Sequence, residues 1–324
     1  MIRLAPVRGG IDLGGTKIQT AVVGDDGSVV ADARRPTPTK GGPEDVATEM
    51  AEAMREAADG AKLETSTLEG VGVGSPGDVD EKTGNVASAR NLPGWEGSFP
   101  LAENLSDVLG TEVRVGNDVQ VAVNAEAKLG AGRPYKSFIG VFWGTGVGGG
   151  VILDGKEWLG RGAAGEIGHM VVKEGGARCT CGRRGCLEAY AGRGAMEIHA
   201  RKEQEDGKKT DLFKIMKHKG HDRLTSSIWE HALRDGDKLA EHLIDRAVTA
   251  LAAGIASAVN LLDVEAVVIG GGLGVRFGDP YVEKIAKHMH KHLFVDDNPP
   301  AMHVVELGDF GGAIGASLLF DSAR

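Results

Sequence analysis

Apolar and polar residues follow one shared plan in two stretches of the chain. The first, "GIDLGGTKIQTAVVGDDG" at residues 10–27, has an apolar run, a glycine turn, a second β-rich run and a tight Asp-Gly turn. The second, "GVFWGTGVGGGVILDG" at residues 140–155, repeats this plan at an offset of 130 residues. An apolar run joined by a glycine turn to a second β-rich run is typical of a β-hairpin. The repeat therefore predicts two related half-domains, each of which opens with a hairpin.

Helical and strand patterns alternate through the rest of the chain. Residues 43–59 carry apolar side chains at spacings of three and four, with Pro43 suited to the first turn of a helix. Further helices are predicted from about Asp118 to Gly130, over residues 239–262, around residues 282–293 and over residues 311–320. Strands are predicted within residues 68–75, 111–116 and 265–274. This alternation predicts the α/β class.

The two half-domains also predict the domain organisation. We place a boundary near residues 110–120, with an N-terminal α/β domain over residues 1–116 and a C-terminal α/β domain over residues 117–304. The final helix, within residues 305–324, is predicted to fold back onto the N-terminal domain.

Composition and charge exclude several classes of protein. The net charge is −9, which argues against a general binder of nucleic-acid phosphates. The lysine-rich stretch at residues 208–223 is interpreted as a solvated insertion, and the charged segment 202–227 has no assigned role. The first residues lack the apolar core of a signal peptide. Polar residues interrupt the longest apolar stretch, so we expect no membrane span and a soluble, cytoplasmic chain.

Glycine is enriched, with 50 residues of 324, and it concentrates in two candidate phosphate-binding turns. In "DLGGTK" at residues 12–17, Gly14 and Gly15 leave backbone N–H groups accessible to phosphate oxygens, and Thr16 and Lys17 add donors. Asp12 is a candidate to hold a magnesium ion through water. The alternative is an ordinary glycine hairpin. "GTGVGGG" at residues 144–150 has five glycines, more than a plain turn requires, and we infer that the two turns face each other across a cleft.

Asp118 lies in "GNDVQ", where a predicted strand ends and a predicted helix begins. Asp is a common helix N-cap, and this stretch alone favours that structural role. A carboxylate at the end of a strand in an α/β protein is also placed to act as a general base, as phosphoryl transfer to a hydroxyl requires. The local sequence leaves both roles open.

All three cysteines of the chain fall within eight residues, Cys179, Cys181 and Cys186, and His169 precedes them by ten residues. Three thiolates and one imidazole form a closed tetrahedral zinc set, which leaves no open position for a reactive water. The alternative is three reduced thiols without a metal. We predict structural Zn²⁺, which would hold the flanking carboxylates of Glu166 and Glu188 in fixed places.

Taken together, these motifs resemble the family called repressor, open reading frame, kinase, and most closely its glucokinase branch. The resemblance covers nearly the whole chain and rests on "DLGGTK", "GSPGDVD", "NLPGW", "ND" at 117–118, "GTGVGGG", "GEIGH" and "CTCGRRGCLE". It implies an actin/hexokinase-like fold, also called ribonuclease H-like, with two α/β domains that close over an interdomain cleft. It also implies ATP-dependent phosphorylation of glucose to glucose 6-phosphate, and a homo-oligomer, either a dimer or a tetramer.

The resemblance further implies roles for individual residues. Asp118 would be the catalytic base, and the hydroxyls of the sugar would be held by Asn91, Asn117, Asp118, Glu166, His169 and Glu188. ATP would be held by Asp12, Gly14, Gly15, Thr16, Lys17, Gly144, Thr145, Gly146, Gly148, Gly271 and Gly272, the last two near the adenosine. One ring nitrogen of His169 would bind zinc while the other faces the sugar.

Several alternatives remain open at this stage. Fructose, mannose, N-acetylglucosamine or N-acetylmannosamine could be the acceptor, and polyphosphate could replace ATP as the donor. A zinc-stabilised sugar sensor would lack catalysis. A repressor of the same family would need a DNA-binding module, for which the eleven residues before Asp12 are too few.

Overall fold

A computed structural model of the protein describes residues 7–89 and 91–323. The expectation that the chain has no signal peptide falls partly on residues 1–6, which lie outside the described residues. The described residues form twelve strands: β1 Val7–Leu13, β2 Lys17–Gly24, β3 Val29–Pro36, β4 Val71–Ser75, β5 Asp78–Asp80, β6 Asn85–Ala87, β7 Val113–Asn117, β8 Phe138–Trp143, β9 Val147–Leu153, β10 Lys156–Glu157, β11 Ala266–Gly270 and β12 Ala301–Val304.

The described residues also form ten α-helices: α1 Pro43–Gly60, α2 Leu101–Leu109, α3 Asp118–Leu129, α4 Glu188–Ala191, α5 Arg193–Glu205, α6 Leu212–His218, α7 Ser226–Arg234, α8 Lys238–Leu262, α9 Gly271–His290 and α10 Gly311–Ser317. Strands and helices alternate along the chain, so the predicted α/β class is confirmed.

The chain divides into two compact units, and the first combines Met1–Gly130 with Glu306–Arg324. Its sheet has the order β3-β2-β1-β4-β7, in which β1 and β2 form the predicted antiparallel hairpin and β1, β4 and β7 run parallel. Alternate side chains of β2 face opposite layers. Ile18 and Val22 share a core cluster with α1, whereas Ala21 and Val23 share one with α3 and α10. The strand is therefore buried on both faces, which explains why its apolar residues Ala21, Val22 and Val23 are consecutive rather than alternating.

The second unit spans Ala131–Val305. Its sheet has the order β10-β9-β8-β11-β12, with an antiparallel β8–β9 hairpin followed by the parallel strands β11 and β12. The apolar stripe of α8, with Ile244, Val248, Leu251 and Ile255, lies in the core of this unit. Both units thus use one strand arrangement, which gives the 130-residue repeat in the sequence a structural basis.

Three features differ from the sequence-based expectations. The boundary expected after residue 116 falls before the last residue of β7, inside the first unit, because α3 also packs against α10 and β4 of that unit. Residues 271–274, which were predicted to lie within a strand, instead begin helix α9, and α9 has non-helical backbone angles at Gly278. The lysine-rich stretch is not simply a solvated insertion, because Leu212, Phe213 and Met216 of α6 are buried.

Helix α8 is the one helix among the described residues whose length and hydropathy would suit a membrane span. Within the folded protein, 67% of the most apolar 18-residue stretch of α8 is buried. That burial is typical of the central helix of a folded core.

Candidate functional sites

The first glycine turn joins β1 to β2 and is closed by its own backbone. The N–H of Gly14 donates to the carbonyl of Lys17 at 2.9 Å, and Thr37 Oγ1 donates to the carbonyl of Gly14 at 2.6 Å. Gly15 and Thr16, at the tip, are exposed. The turn is therefore braced on the strand side and presents its tip to solvent, as a phosphate-binding turn requires.

Asp12 is the penultimate residue of β1 and is only partly exposed. A Cβ atom placed on Gly312, near the start of α10, would lie 2.6 Å from Asp12 Cγ, so the carboxyl group faces this helix terminus. Burial raises the pKa of Asp12 to about 6, with Lys17 opposing the shift and Asp309 adding to it. A bound cation would favour the charged form of such a carboxyl group.

The sequence suggested Lys17 as a hydrogen-bond donor to phosphate. In the structure Lys17 pairs with a carboxylate that was not predicted from the sequence. Lys17 Nζ lies 3.6 Å from Asp309 Oδ1, and Arg34 Nη2 donates to Asp309 Oδ2 at 2.9 Å. Asp309 precedes α10 in the part of the chain that returns to the first unit, almost 300 residues from Lys17 in sequence. No sequence spacing relates the two residues.

Asn117 and Asp118 lie where β7 ends and α3 begins. Asn117 Oδ1 accepts the N–H groups of Val119 and Gln120 at 3.1 and 3.2 Å, so Asn117 is the N-cap of α3. The structural role suggested for Asp118 as the cap is therefore wrong, and Asp118 is the first residue of the helix. Its Oδ1 accepts the N–H of Val119 at 2.9 Å, and its side chain is half-buried.

The sheet register brings the candidate residues of the first unit to one edge. In the parallel strands β1, β4 and β7, Asp12 is paired with Gly74, and Ser75 with Asn117, near the carboxyl ends. A Cβ on Gly15 would lie 3.1 Å from Asn91 Nδ2, which adds the "NLPGW" loop to the same edge. Ligands of open α/β sheets bind at the carboxyl ends of the strands, so this edge is the candidate site of the first unit.

The second glycine turn joins β8 to β9 and is closed by the N–H of Gly144, which donates to the carbonyl of Gly146 at 3.0 Å. Glu188 Oε2 accepts the N–H of Val147 at 3.0 Å. A Cβ on Gly146 would lie 2.3 Å from this oxygen, so a larger residue at position 146 would require the carboxylate of Glu188 to move. The sequence placed Gly148 in the turn. In the structure it lies within β9, where it is paired with Phe142.

The glycines that begin α9 lie against the same turn. Gly271 has a φ of 77°, and a Cβ there would lie 2.7 Å from the carbonyl of Trp143. A Cβ on Gly144 would lie 3.7 Å from the backbone nitrogen of Gly272. The two glycine motifs assigned to ATP in the second unit are thus adjacent, although the sequence separates them by more than 120 residues.

His169 and the three cysteines form a cluster in which the four ligand atoms all lie within 4.8 Å of one another. The Sγ atoms of Cys181 and Cys186 are 3.7 Å apart, and Cys179 Sγ is 3.9 Å from His169 Nδ1. Two sulfurs at the ordinary Zn–S distance of roughly 2.3 Å in a tetrahedral site are about 3.8 Å apart. The donor types and their spacing therefore fit a closed zinc site.

The protein shifts the thiol pKa values of this cluster in opposite directions. Burial raises the pKa of Cys179 to about 12, and the backbone hydrogen bond with Arg183 lowers the pKa of Cys181 to about 7. A bound cation would favour the thiolate at all three positions, because metal ligation deprotonates a coordinating thiol.

Both flanking carboxylates lie beside this cluster. His169 Nε2, the ring nitrogen on the other side from Cys179, is 3.9 Å from Glu166 Oε2. Glu188 Oε1 accepts a hydrogen bond from Thr180 Oγ1 at 3.1 Å and lies 3.8 Å from Cys179 Sγ. Glu188 thus connects the cysteine loop to the second glycine turn, a contact that the sequence did not predict.

Sequence reasoning also missed Arg193, which follows the cysteine loop at the start of α5. Its Nη2 donates to Thr145 Oγ1 at 2.7 Å, and its backbone N–H donates to the carbonyl of Gly144 at 3.1 Å. The only available signal was its position soon after "CLEAYAG", which carries no chemical pattern of its own.

The structure distributes the predicted residues between the two units. The first unit contains the predicted site residues at its sheet edge: Asp12, Gly14, Gly15, Thr16, Lys17, Asn91, Asn117 and Asp118. The second unit holds the members around its glycine turn and cysteine loop: Gly144, Thr145, Gly146, Gly148, Glu166, His169, Cys179, Cys181, Cys186, Glu188, Gly271 and Gly272.

Comparison with known proteins gives a consistent match over the whole chain. The model of the ROK family matches residues 8–323. A glucokinase of Thermotoga maritima is 36% identical over 286 residues, which cover 86% of this chain and 87% of the relative. A glucokinase of Halalkalibacterium halodurans is 33% identical over 314 residues, or 96% of this chain and 93% of the relative.

A solved structure shares the fold as well as the sequence. The ROK family glucokinase from Streptomyces griseus, in complex with glucose and AMPPNP, has a TM-score of 0.83 and 30% identity, covering 97% of this chain and 98% of that chain. The predicted actin/hexokinase-like fold class is thereby confirmed.

Proposed function

The chain belongs to the ROK family, and from this premise we propose that it transfers the γ-phosphoryl group of ATP to the 6-hydroxyl of glucose. The products are glucose 6-phosphate and ADP. The observation that carries the proposal is the carboxylate of Asp118 at the sheet edge that also bears Asp12 and the first glycine turn. Relatives that are 30–36% identical over most of the chain and are named glucokinase support glucose as the acceptor.

Asp118 is the general base in this proposal. It accepts the proton of the 6-hydroxyl as that oxygen attacks the γ-phosphorus, and the bond from the γ-phosphorus to the β–γ bridging oxygen breaks. ADP leaves with the electron pair of that bond. Backbone N–H groups of the glycine turns, together with Lys17, stabilise the charge on the phosphate oxygens.

The remaining polar residues bind and orient the sugar. Asn91, Asn117, Glu166, His169 and Glu188 each offer a hydrogen-bonding group to a hydroxyl. For Asn117 the offered group is the amide nitrogen, because its Oδ1 caps α3. A sugar that lacks one of these hydroxyls would leave a polar group of the site unsatisfied, which selects against it.

Two metal ions complete the proposal. Asp12 would hold Mg²⁺ through water, and its partly buried carboxyl group has the oxygen donors that this cation prefers. When bound, Mg²⁺ neutralises charge on the phosphates. His169, Cys179, Cys181 and Cys186 would hold Zn²⁺, which has a structural role because four protein ligands fill its coordination sphere.

We further propose a cytoplasmic location, because the reaction consumes ATP and the cysteine cluster requires reduced thiols. The partners are the hexose and ATP, and we assign no role in binding nucleic acid or membranes. A homo-oligomer, either a dimer or a tetramer, stays a prediction of the family resemblance.

A sugar panel tests the function. ADP release with ATP and Mg²⁺ is measured for glucose, fructose, mannose, N-acetylglucosamine and N-acetylmannosamine. We expect the highest kcat/KM with glucose, and no turnover with 6-deoxyglucose, which lacks the acceptor hydroxyl. A higher kcat/KM with another hexose would reassign the substrate. Glucose binding in a calorimeter without any ADP release would instead identify a sugar sensor.

A further inference from the structure

The charged segment at residues 202–227 is an integral part of the second unit. Its helix α6 places Leu212, Phe213 and Met216 in the main core cluster, and Leu224 is fully buried just before α7. The charged residues of this segment are therefore fixed by a packed scaffold.

Glu197 of α5 anchors the end of this segment. Its side chain is 5% exposed, and it accepts hydrogen bonds from Arg201 Nη2 at 2.6 Å, from Arg223 Nε at 3.1 Å and from the N–H of Leu224 at 3.0 Å. Burial acts to raise the pKa of Glu197, but these donors hold it below its ordinary value. Glu197 is therefore a carboxylate at neutral pH. One buried negative charge is thus shared by two guanidinium groups.

This anchor brings Arg223 beside the second glycine turn. A Cβ on Gly194 would lie 3.8 Å from Arg223 Nη2 and 3.5 Å from the carbonyl oxygen of Thr145. Arg193, the neighbour of Gly194, already donates to Thr145 Oγ1 at 2.7 Å. The guanidinium group of Arg193 therefore contacts Thr145, and that of Arg223 lies beside Gly194, which borders Thr145.

The same segment reaches the second glycine motif. Ser226, the first residue of α7, has its Oγ 3.2 Å from the position of a Cβ on Gly272. Residues 223–226 thus lie next to both glycine motifs that the nucleotide is proposed to occupy in this unit.

The charges around Thr145 do not balance. Arg193, Arg201 and Arg223 carry three positive charges, whereas the nearby carboxylates are two: Glu197, which Arg201 and Arg223 already engage, and Glu188, which accepts the N–H of Val147. Burial lowers the pKa of Arg193, and the charge of Arg223 adds to this shift. An anion with several oxygens would relieve this repulsion, and guanidinium groups are suited to phosphate because they donate two parallel hydrogen bonds.

We propose that Arg193 and Arg223 bind the phosphate chain of the donor nucleotide, and that the charged segment serves to deliver Arg223 to it. The proposal rests on the assignment of the donor as ATP and deepens it by adding two phosphate-binding residues. It also assigns a role to the charged segment at residues 202–227, for which the sequence indicated none.

Calorimetric titration of the full-length protein tests this inference without using turnover. Wild type, Arg193→Ala and Arg223→Ala are each titrated with adenosine, ADP and ATP in the presence of Mg²⁺. We expect ATP affinity to fall by roughly tenfold or more in each variant, the usual cost of losing a hydrogen bond to a charged group. Adenosine affinity should stay within about twofold, because the proposal gives neither guanidinium group a contact with the nucleoside.

Arg201→Ala is the matched control. Arg201 bonds the same carboxylate, but its guanidinium lies 4.9 Å from the ring centre of Phe213, on the side of α6. We expect this variant to keep the ratio of ATP to adenosine affinity.

Two outcomes would overturn the inference. ATP affinity within twofold of wild type in both alanine variants would show that neither arginine contacts the phosphates. An equal loss of adenosine, ADP and ATP affinity would mean that the arginines only shape the site. If an alanine variant is unfolded in a thermal melt, the neutral Gln substitution at the same position replaces it and is judged by the same two criteria. Because the titration needs neither glucose nor catalysis, failure of the kinase proposal would be seen separately, in the sugar panel.

Discussion

Asn117 and Asp118 are neighbours in sequence but have different tasks at the start of α3. Asn117 caps the helix through Oδ1, and Asp118 follows as its first residue. Both residue types favour helix N-termini, so the sequence could not decide which one caps. Backbone geometry decides it, because the cap position is the last residue with extended angles, and that residue is Asn117, with φ −67° and ψ 137°.

The consequence of this division of tasks can be measured at Asp118. Asp118→Asn keeps the size of the side chain but removes its capacity to accept the proton. We expect kcat to fall by about 10²- to 10⁴-fold, the usual contribution of general-base catalysis, while glucose affinity changes little. The ADP-release assay gives kcat, and calorimetry without ATP gives the affinity for glucose. A kcat near that of wild type would remove Asp118 from the mechanism.

At the scale of elements, the cysteine loop has little regular secondary structure, and turn-type backbone hydrogen bonds such as that from Cys179 N–H to the carbonyl of Arg183 at 2.9 Å hold it together. Between β10 and α4 the described residues have no named strand, only the isolated bridges Val171–Cys186 and Arg178–Arg184 and one short 3₁₀ helix at Ile167–His169. Such a segment cannot fix side chains by regular structure. In the proposed zinc site, the four ligands would supply the cross-link that keeps His169 and Glu188 in position.

Metal analysis of freshly purified protein should find about one zinc per chain. Removal of the metal with a chelator should lower the thermal midpoint by at least about 5 °C, because the binding energy of a structural zinc is also folding energy. It should weaken glucose binding as well, since His169 and Glu188 lose their support.

Cys181→Ser tests the same site without a chelator and should lose the metal. Return of zinc to the chelated wild type should restore the midpoint and so serves as the control. Protein that contains no zinc as purified, yet binds glucose normally, would contradict the prediction.

At the scale of the whole molecule, the chain returns to its first unit after completing the second. Glu126 of α3 receives the returning segment: its Oε2 accepts the N–H of Glu306 at 3.0 Å and its Oε1 accepts the N–H of Leu307 at 2.9 Å. Glu126 is 1% exposed. Helix α10 then packs against α3, β1 and β4, which completes one face of the first sheet.

Glu126→Ala should lower the free energy of unfolding by about 2 kcal/mol, because two backbone N–H groups lose their acceptor. Urea denaturation measures this change. Glu112→Ala is the control, since Glu112 is 59% exposed and pairs with Arg114 on the surface, where an ion pair contributes less than about 1 kcal/mol. Equal stability of the two variants would show that Glu126 does not hold the returning segment.

Much of the fold follows from local pattern. The helix expected at residues 43–59 is observed as Pro43–Gly60, and the one expected at 239–262 as Lys238–Leu262, because each carries a long apolar stripe. The start of α9 was missed because glycines at 271–274 supply little apolar periodicity and are typical of turns. Residues 193–234 were left without helices because their lysines and histidines obscure the short apolar faces of α5, α6 and α7.

The sequence by itself determined the α/β class, the repeated hairpins, the four metal-type ligands and the carboxylate at residue 118, because periodicity, ligand type and spacing are local properties of the chain. Only the tertiary structure decided that Glu188 lies against Gly146, that Asp309 engages Lys17 and that Arg223 lies near Thr145. These contacts join residues that are distant in sequence. Their geometry follows from strand register and from the burial of apolar faces in each unit, and no short-range pattern of residues records it.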